Sequence, residues 1–212
     1  MLPKGAVCAV AMFLIALVSC HAWAGIVNYD CAPDTDGVIK CSPTPVLSDE
    51  GSGVYKLSIT GAQYCVDGQG PDGVTGHILG DFTADSDPTV KMYNSIDNDT
   101  NVTWTDYHIN ISMNASFTIS NAGLDAPTDW TNAVMTQPTL QGDGSYLGTV
   151  DYYSNPGGTP VAPGGELDFH YWITFAGSVS YTQEMVPSFV PEPMTLSMIA
   201  IGGLALLRKR SR

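Results

Sequence analysis

The strongest constraint on this chain is the strict alternation near its carboxyl end. Leu167, Phe169, Tyr171, Ile173 and Phe175 fall on one side of an extended segment, and Glu166, Asp168, His170, Trp172 and Thr174 fall on the other. A period of two places one set in a core and the other toward water, which is the signature of a half-buried strand. Thr103 to Met113 repeats it. Tyr107, Ile109, Ile111 and Met113 share one face, with Trp104, Asp106, His108 and Asn110 opposite. Shorter segments of the same kind predict strands at Val54 to Gln63, Gly76 to Thr83, Thr89 to Ile96, Ser116 to Ser120, Tyr146 to Tyr153 and Ser178 to Glu184. Turn-forming clusters separate them: Asp67 to Gly73, Gln141-Gly142-Asp143-Gly144 and Asn155-Pro156-Gly157-Gly158. Many short strands with frequent turns predict an all-β unit, an antiparallel β-sandwich spanning residues 25–186. Within this unit no stretch reads as helical, no period repeats, and no second domain emerges. Asn28 to Gly53, rich in Pro and Asp, reads as an ordered lead-in.

The two ends carry a different signal. Residues 1–24 have the form of a signal peptide: Lys4, an apolar core from Ala6 to Val18, and Ala22-Trp23-Ala24 before Gly25 as the cleavage site. Leu17-Val18-Ser19-Cys20 is a competing lipobox, in which Cys20 becomes a lipidated first residue. At the other end, residues 187–212 divide into a linker, an uncharged run from Met194 to Leu207, and Arg208-Lys209-Arg210-Ser211-Arg212. Fourteen residues of helix cover about 21 Å, short of a hydrocarbon core of about 30 Å. The run is thus a marginal transmembrane helix, suited to temporary retention, with its basic end fixed in the cytoplasm by the positive-inside rule. Pro191 and Pro193 keep the chain around Glu192 extended and open to a protease.

Val190-Pro191-Glu192-Pro193, the run containing Gly202-Gly203-Leu204-Ala205-Leu206-Leu207, and Arg208, Lys209 and Arg210 together resemble a PEP-CTERM sorting signal. The resemblance covers about two dozen residues and includes all three parts in order. It implies a Gram-negative-type bacterial protein passed by the secretion machinery and signal peptidase, held briefly in the inner membrane, and cut near the Pro-Glu-Pro by an exosortase. It also implies a final place at the cell surface or in an extracellular polysaccharide matrix, in keeping with the association of such systems with biofilm formation. Trp104-Thr105-Asp106-Tyr107-His108 and Pro163-Gly164-Gly165-Glu166-Leu167-Asp168-Phe169 resemble stretches of small β-rich cargo domains in such proteins, a likeness that brings no activity with it.

Charge narrows the partners. Between Gly25 and Phe189 there are three lysines and twenty acidic residues, a net of −17. That surface repels nucleic acid and anionic lipid and attracts cations. Cys31, Cys41 and Cys65 remain after signal removal, and outside the cytoplasm a disulfide is expected among them, with the pairing open. There is no C-x-x-C pair and no histidine near the cysteines in sequence, so no structural zinc site is expected.

Catalytic groups are sparse. Asp106 with His108, and Asp168 with His170, share strand faces and could orient an imidazole. No nucleophile elbow, H-E-x-x-H pair or phosphate loop accompanies them, and no catalytic residue is assigned. Asp97-Asn98-Asp99-Thr100-Asn101 opens like a calcium loop but has Val102 and His108 where an EF-hand requires Gly and Glu. An ordinary polar turn is the preferred reading, and calcium is the one cofactor the sequence admits. Trp104 and Trp172 fall on predicted outer faces, beside Asp and Asn, and are the candidate glycan contacts. The expected function is therefore a non-enzymatic structural or adhesive matrix protein. The alternative is a carbohydrate-binding module or a hydrolase acting on polysaccharide.

Overall fold

The computed structural model describes residues 25–66, 74–130, 132–153 and 158–189. The expected signal peptide, the competing lipobox at Cys20, the motif Val190–Pro193 and the expected helix and basic tail after it lie outside the described residues, as do residues 67–73, 131 and 154–157.

The described chain forms twelve strands and, among the described residues, no helix. They are β1 (Ile26–Pro33), β2 (Ile39–Cys41), β3 (Val46–Gly51), β4 (Val54–Tyr64), β5 (Gly76–Ala84), β6 (Thr89–Asp99), β7 (Trp104–Met113), β8 (Phe117–Ala126), β9 (Asn132–Leu140), β10 (Tyr146–Tyr153), β11 (Glu166–Phe175) and β12 (Val179–Phe189). The first sheet runs β1-β5-β12-β7-β10-β9, every pair antiparallel. The second runs β2-β4-β6-β11-β8, with β3 alongside β2 on the outer edge of β4. One pair departs from the expected antiparallel rule: β4 and β6 run parallel.

The inner faces share one core. β11 delivers Leu167, Phe169, Tyr171, Ile173 and Phe175 to it, all buried as the alternation requires. From the first sheet, Tyr107 and Tyr152 meet Phe169 at ring-centroid distances of 5.5 and 5.0 Å, and Phe82 meets Phe175 at 5.7 Å. Sheets this closely interdigitated exclude water, and burial of such rings is the main stabilising contribution.

Several expectations are corrected. Asn28 to Gly53 is no mere lead-in but contains most of β1 and all of β2 and β3. Asn132–Leu140 is a strand that no alternation announced. β12 continues through Pro187, Ser188 and Phe189, so the sheet claims three residues expected in the linker. Proline is tolerated there because β5 ends opposite Met185, leaving only β7 as partner. Cys31 and Cys41 are free thiols. Cys31 points into the core from β1, while Cys41 lies in β2 of the other sheet. Burial, then the neighbouring Cys41 and Asp30, pushes the Cys31 thiol up to about 12. Cys65 is exposed just beyond β4.

Candidate functional site

Two outer faces carry the polar chemistry. Trp104, expected on one of them, is in the core. Opposite Ser188 and Phe189 of β12, the β7 residues are Asp106 and Trp104, so Thr105 is an extra residue in the ladder. A bulge of one residue reverses the facing of everything beyond it. Trp104 is consequently 0 % exposed, stacks at 5.2 Å on Tyr107 and donates its indole N–H to Thr100 Oγ1 at 3.2 Å. It has no surface to offer a glycan. Trp130 is also buried, held by Nε1 donating to Thr159 O at 2.7 Å.

Trp172 keeps its predicted outward facing on the second sheet. The three lysines are on this face, each over an aromatic ring: Lys40 on Tyr64 at 4.4 Å, Lys56 on Tyr93 at 4.5 Å and Lys91 on Trp172 at 4.7 Å. Lys91 also reaches Glu50 at 2.7 Å. The result is a lattice of flat rings steadied by cations, set in a domain otherwise dominated by carboxylates.

Beside the lattice lies an open cleft of about 280 Å³ lined by Ser58, Thr60, Tyr93, Ser95, Asp125 and Asp168 among others. His170 packs 5.6 Å from Tyr93 and is held by Asp125, at 2.9 Å, rather than by the Asp168 of its own strand. Burial pushes the Asp168 carboxyl above the usual carboxylate range, with Ser95 opposing by hydrogen bonding. Asp168 Oδ1 and Trp172 Nε1 are buried atoms with no protein partner. The cleft thus sets hydroxyls and carboxylates beside the half-buried rings of Tyr93 and Trp172, a mixed polar and aromatic surface.

On the first sheet, His108 is contacted by Asp151 Oδ1 at Nδ1 (2.8 Å) and by Ser188 Oγ at Nε2 (3.1 Å). These are the distances of an acid–base–nucleophile relay. Asp106, at 3.4 Å, shares Nε2 with Ser188, however. Ser188 also continues a ladder opposite Asp106, instead of standing on a turn where backbone N–H groups converge on an oxyanion.

The calcium-loop-like segment falls at the end of β6, where Asp97 and Asp99 are exposed on either side of a buried Asn98. Asp97, Asn98 and Asp99 complete β6, and Asn98 is fully buried. Its Nδ2 donates to Val102 O and Val161 O, while its Oδ1 accepts from the Thr100 N–H and hydroxyl. Sequence reasoning missed the three-donor cluster of Asp34, Asp36 and His77, because β1–β5 pairing alone brings those positions together.

Compared with family models, curated proteins and solved structures, the chain finds no match.

Proposed function

We propose that this protein is an exported bacterial component of the cell surface or extracellular matrix. It is delivered by its signal peptide, held transiently in the inner membrane, and cut near Pro191-Glu192-Pro193 by an exosortase. Its antiparallel-rich sandwich is a non-catalytic, adhesive cargo that meets extracellular polysaccharide through the outer face of the second sheet. Trp172 and Tyr93 supply ring faces, and the cleft at Ser95 and Asp168 takes hydroxyls.

The observation that carries the reading is the fit between the folded unit and the two expected cleavage points. β1 begins at Ile26, two residues after Ala24, and β12 ends at Phe189, one residue before Val190. Cutting at both points leaves all twelve strands intact. A hydrolase acting on matrix polymers is the second reading, favoured by the half-buried carboxyl of Asp168, held above the usual carboxylate range.

The test is the mass and terminal peptides of the protein recovered from its host, together with a pull-down on the host's own polysaccharide. A start at Gly25, an end near Pro191 and retention lost in Trp172→Ala support the proposal. An uncut tail or a lipidated Cys20 overturns the processing. Polysaccharide cleavage abolished by Asp168→Asn moves the protein to the hydrolase class.

A further inference from the structure

We propose that Asp34, Asp36 and His77 form a binding site for one divalent transition-metal ion. One ligand atom from each lies within 4.8 Å of the others. Donors bound at about 2.0–2.2 Å to a common ion fall within such a spacing.

The set differs from a chance patch of carboxylates in three ways. First, it mixes donor types across two chain segments. The Asp34 N–H donates to His77 O at 3.1 Å, extending the β1–β5 ladder by one step and holding the carboxylate beside the imidazole. Asp34 Oδ2 lies 3.1 Å from His77 Nδ1.

Second, each carboxylate spends one oxygen on the backbone and keeps one. Asp36 Oδ1 accepts from the Val38 N–H at 2.8 Å, and Asp34 Oδ1 faces the Asp36 N–H at 3.4 Å. The second oxygen of Asp34 is the one that meets His77 Nδ1, a contact that an ion bound between them would replace.

Third, the far nitrogen of His77 is faced by Glu184 Oε1 at 3.6 Å, and the other oxygen of Glu184 accepts from Asn110 Nδ2 at 2.6 Å. A carboxylate behind a ligating imidazole fixes its orientation and raises its basicity.

The charge balance points the same way. All three lysines of the described residues lie on the outer face of the other sheet. An imidazole with two carboxylates selects zinc or its first-row neighbours over calcium, which prefers oxygen alone and more of it.

The experiment uses the full-length chain in detergent, carrying a purification tag without histidine. It is stripped with EDTA, exchanged into chelator-free buffer and titrated with zinc chloride by calorimetry. The expected result is one zinc per chain, affinity reduced at least tenfold in His77→Gln and in Asp36→Asn, and no change in His108→Gln. A hundredfold excess of calcium leaves the zinc isotherm in place. Thermal melts serve as the second readout, with zinc raising the melting temperature of the parent but not of His77→Gln or Asp36→Asn. Absence of stoichiometric binding overturns the proposal, as does binding that survives both substitutions or is equally lost in His108→Gln. If His77→Gln does not fold, Asp36→Asn, which keeps the acceptor for Val38, decides alone.

Discussion

The hydroxyls of Tyr171 and Tyr181 meet 2.6 Å apart in the middle of the core, one carried by each sheet. Both also reach Gln183 Oε1, at 2.6 and 2.5 Å, and Gln183 Nε2 donates to Asn94 Oδ1 at 3.0 Å. Three oxygens thus share two hydroxyl protons, and the network ties β11 and β12 to β6. Gln183→Leu removes the shared acceptor and leaves one hydroxyl proton and Asn94 Oδ1 without partners. Burying unpartnered polar groups costs about 1–3 kcal/mol each, so urea denaturation should show a loss of about 3 kcal/mol. Tyr181→Phe, which deletes one hydroxyl and leaves the acceptor paired to Tyr171, should lose about 1 kcal/mol.

Stability should fail at alkaline pH. Burial raises the pKa of Tyr107, Tyr152, Tyr171 and Tyr181 above the ordinary phenol value, and lifts Cys31 to about 12 and Cys41 to about 11. In the unfolded chain these groups lose their protons near pH 8.5 for thiols and near 10 for phenols. Below those values their contribution is fully present. Above them the unfolded state binds fewer protons than the folded one, so stability falls as pH rises. Urea midpoints should be flat to about pH 8 and fall from about pH 9, steepening above 10 by about 1.4 kcal/mol per pH unit for each buried tyrosine. The phenolate absorbance of these four buried tyrosines should appear in one cooperative step with unfolding.

The two tryptophans should separate cleanly. Trp104→Ala opens a cavity beside Tyr107 and should cost about 3–5 kcal/mol, with loss of polysaccharide retention only through unfolding. Trp172→Ala should cost about 1 kcal/mol while abolishing retention of a folded protein. Circular-dichroism melts run beside the pull-down distinguish the two effects.

Truncation should locate the end of the domain. A chain stopped after Phe189 should melt like the parent. A chain stopped after Val186 loses the residues opposite Tyr107, Asp106 and Trp104. It should lose about 1.5–3 kcal/mol, the scale of burying one large apolar side chain.

Much of this architecture was legible because alternation reports a strand with one wet and one dry face. β11, β7, β4, β5 and β10 are such strands, and their predicted and observed positions nearly coincide. β9 is an edge with most side chains exposed on both sides, so no alternation marks it. Its Gln137 amide pairs with the backbone N–H and C=O of Ile119, closing the gap to β8 by a device that periodicity cannot encode. Strand direction is equally silent, hence the unforeseen parallel pair of β4 and β6. Trp104 was misplaced because counting in twos does not see the inserted Thr105. Trp172 of the proposed glycan face was legible from β11 alone, whereas Asp168 was read there only as a partner for His170, and Tyr93, Asp125 and the lysine–ring lattice needed the neighbouring strands. The Asp34, Asp36 and His77 cluster depends wholly on register.

The position of β12 fixes an order in time. It is the last strand in the chain, yet it lies between β5 and β7 in the interior of the first sheet. Without it, β1 and β5 on one side and β7, β10 and β9 on the other are two fragments with no shared hydrogen bonds. A chain arriving amino end first therefore cannot join the two halves of its first sheet until β12 has emerged. On the proposed processing route, completion of the domain comes just before Val190-Pro191-Glu192-Pro193 is presented, so the two are successive steps of one passage.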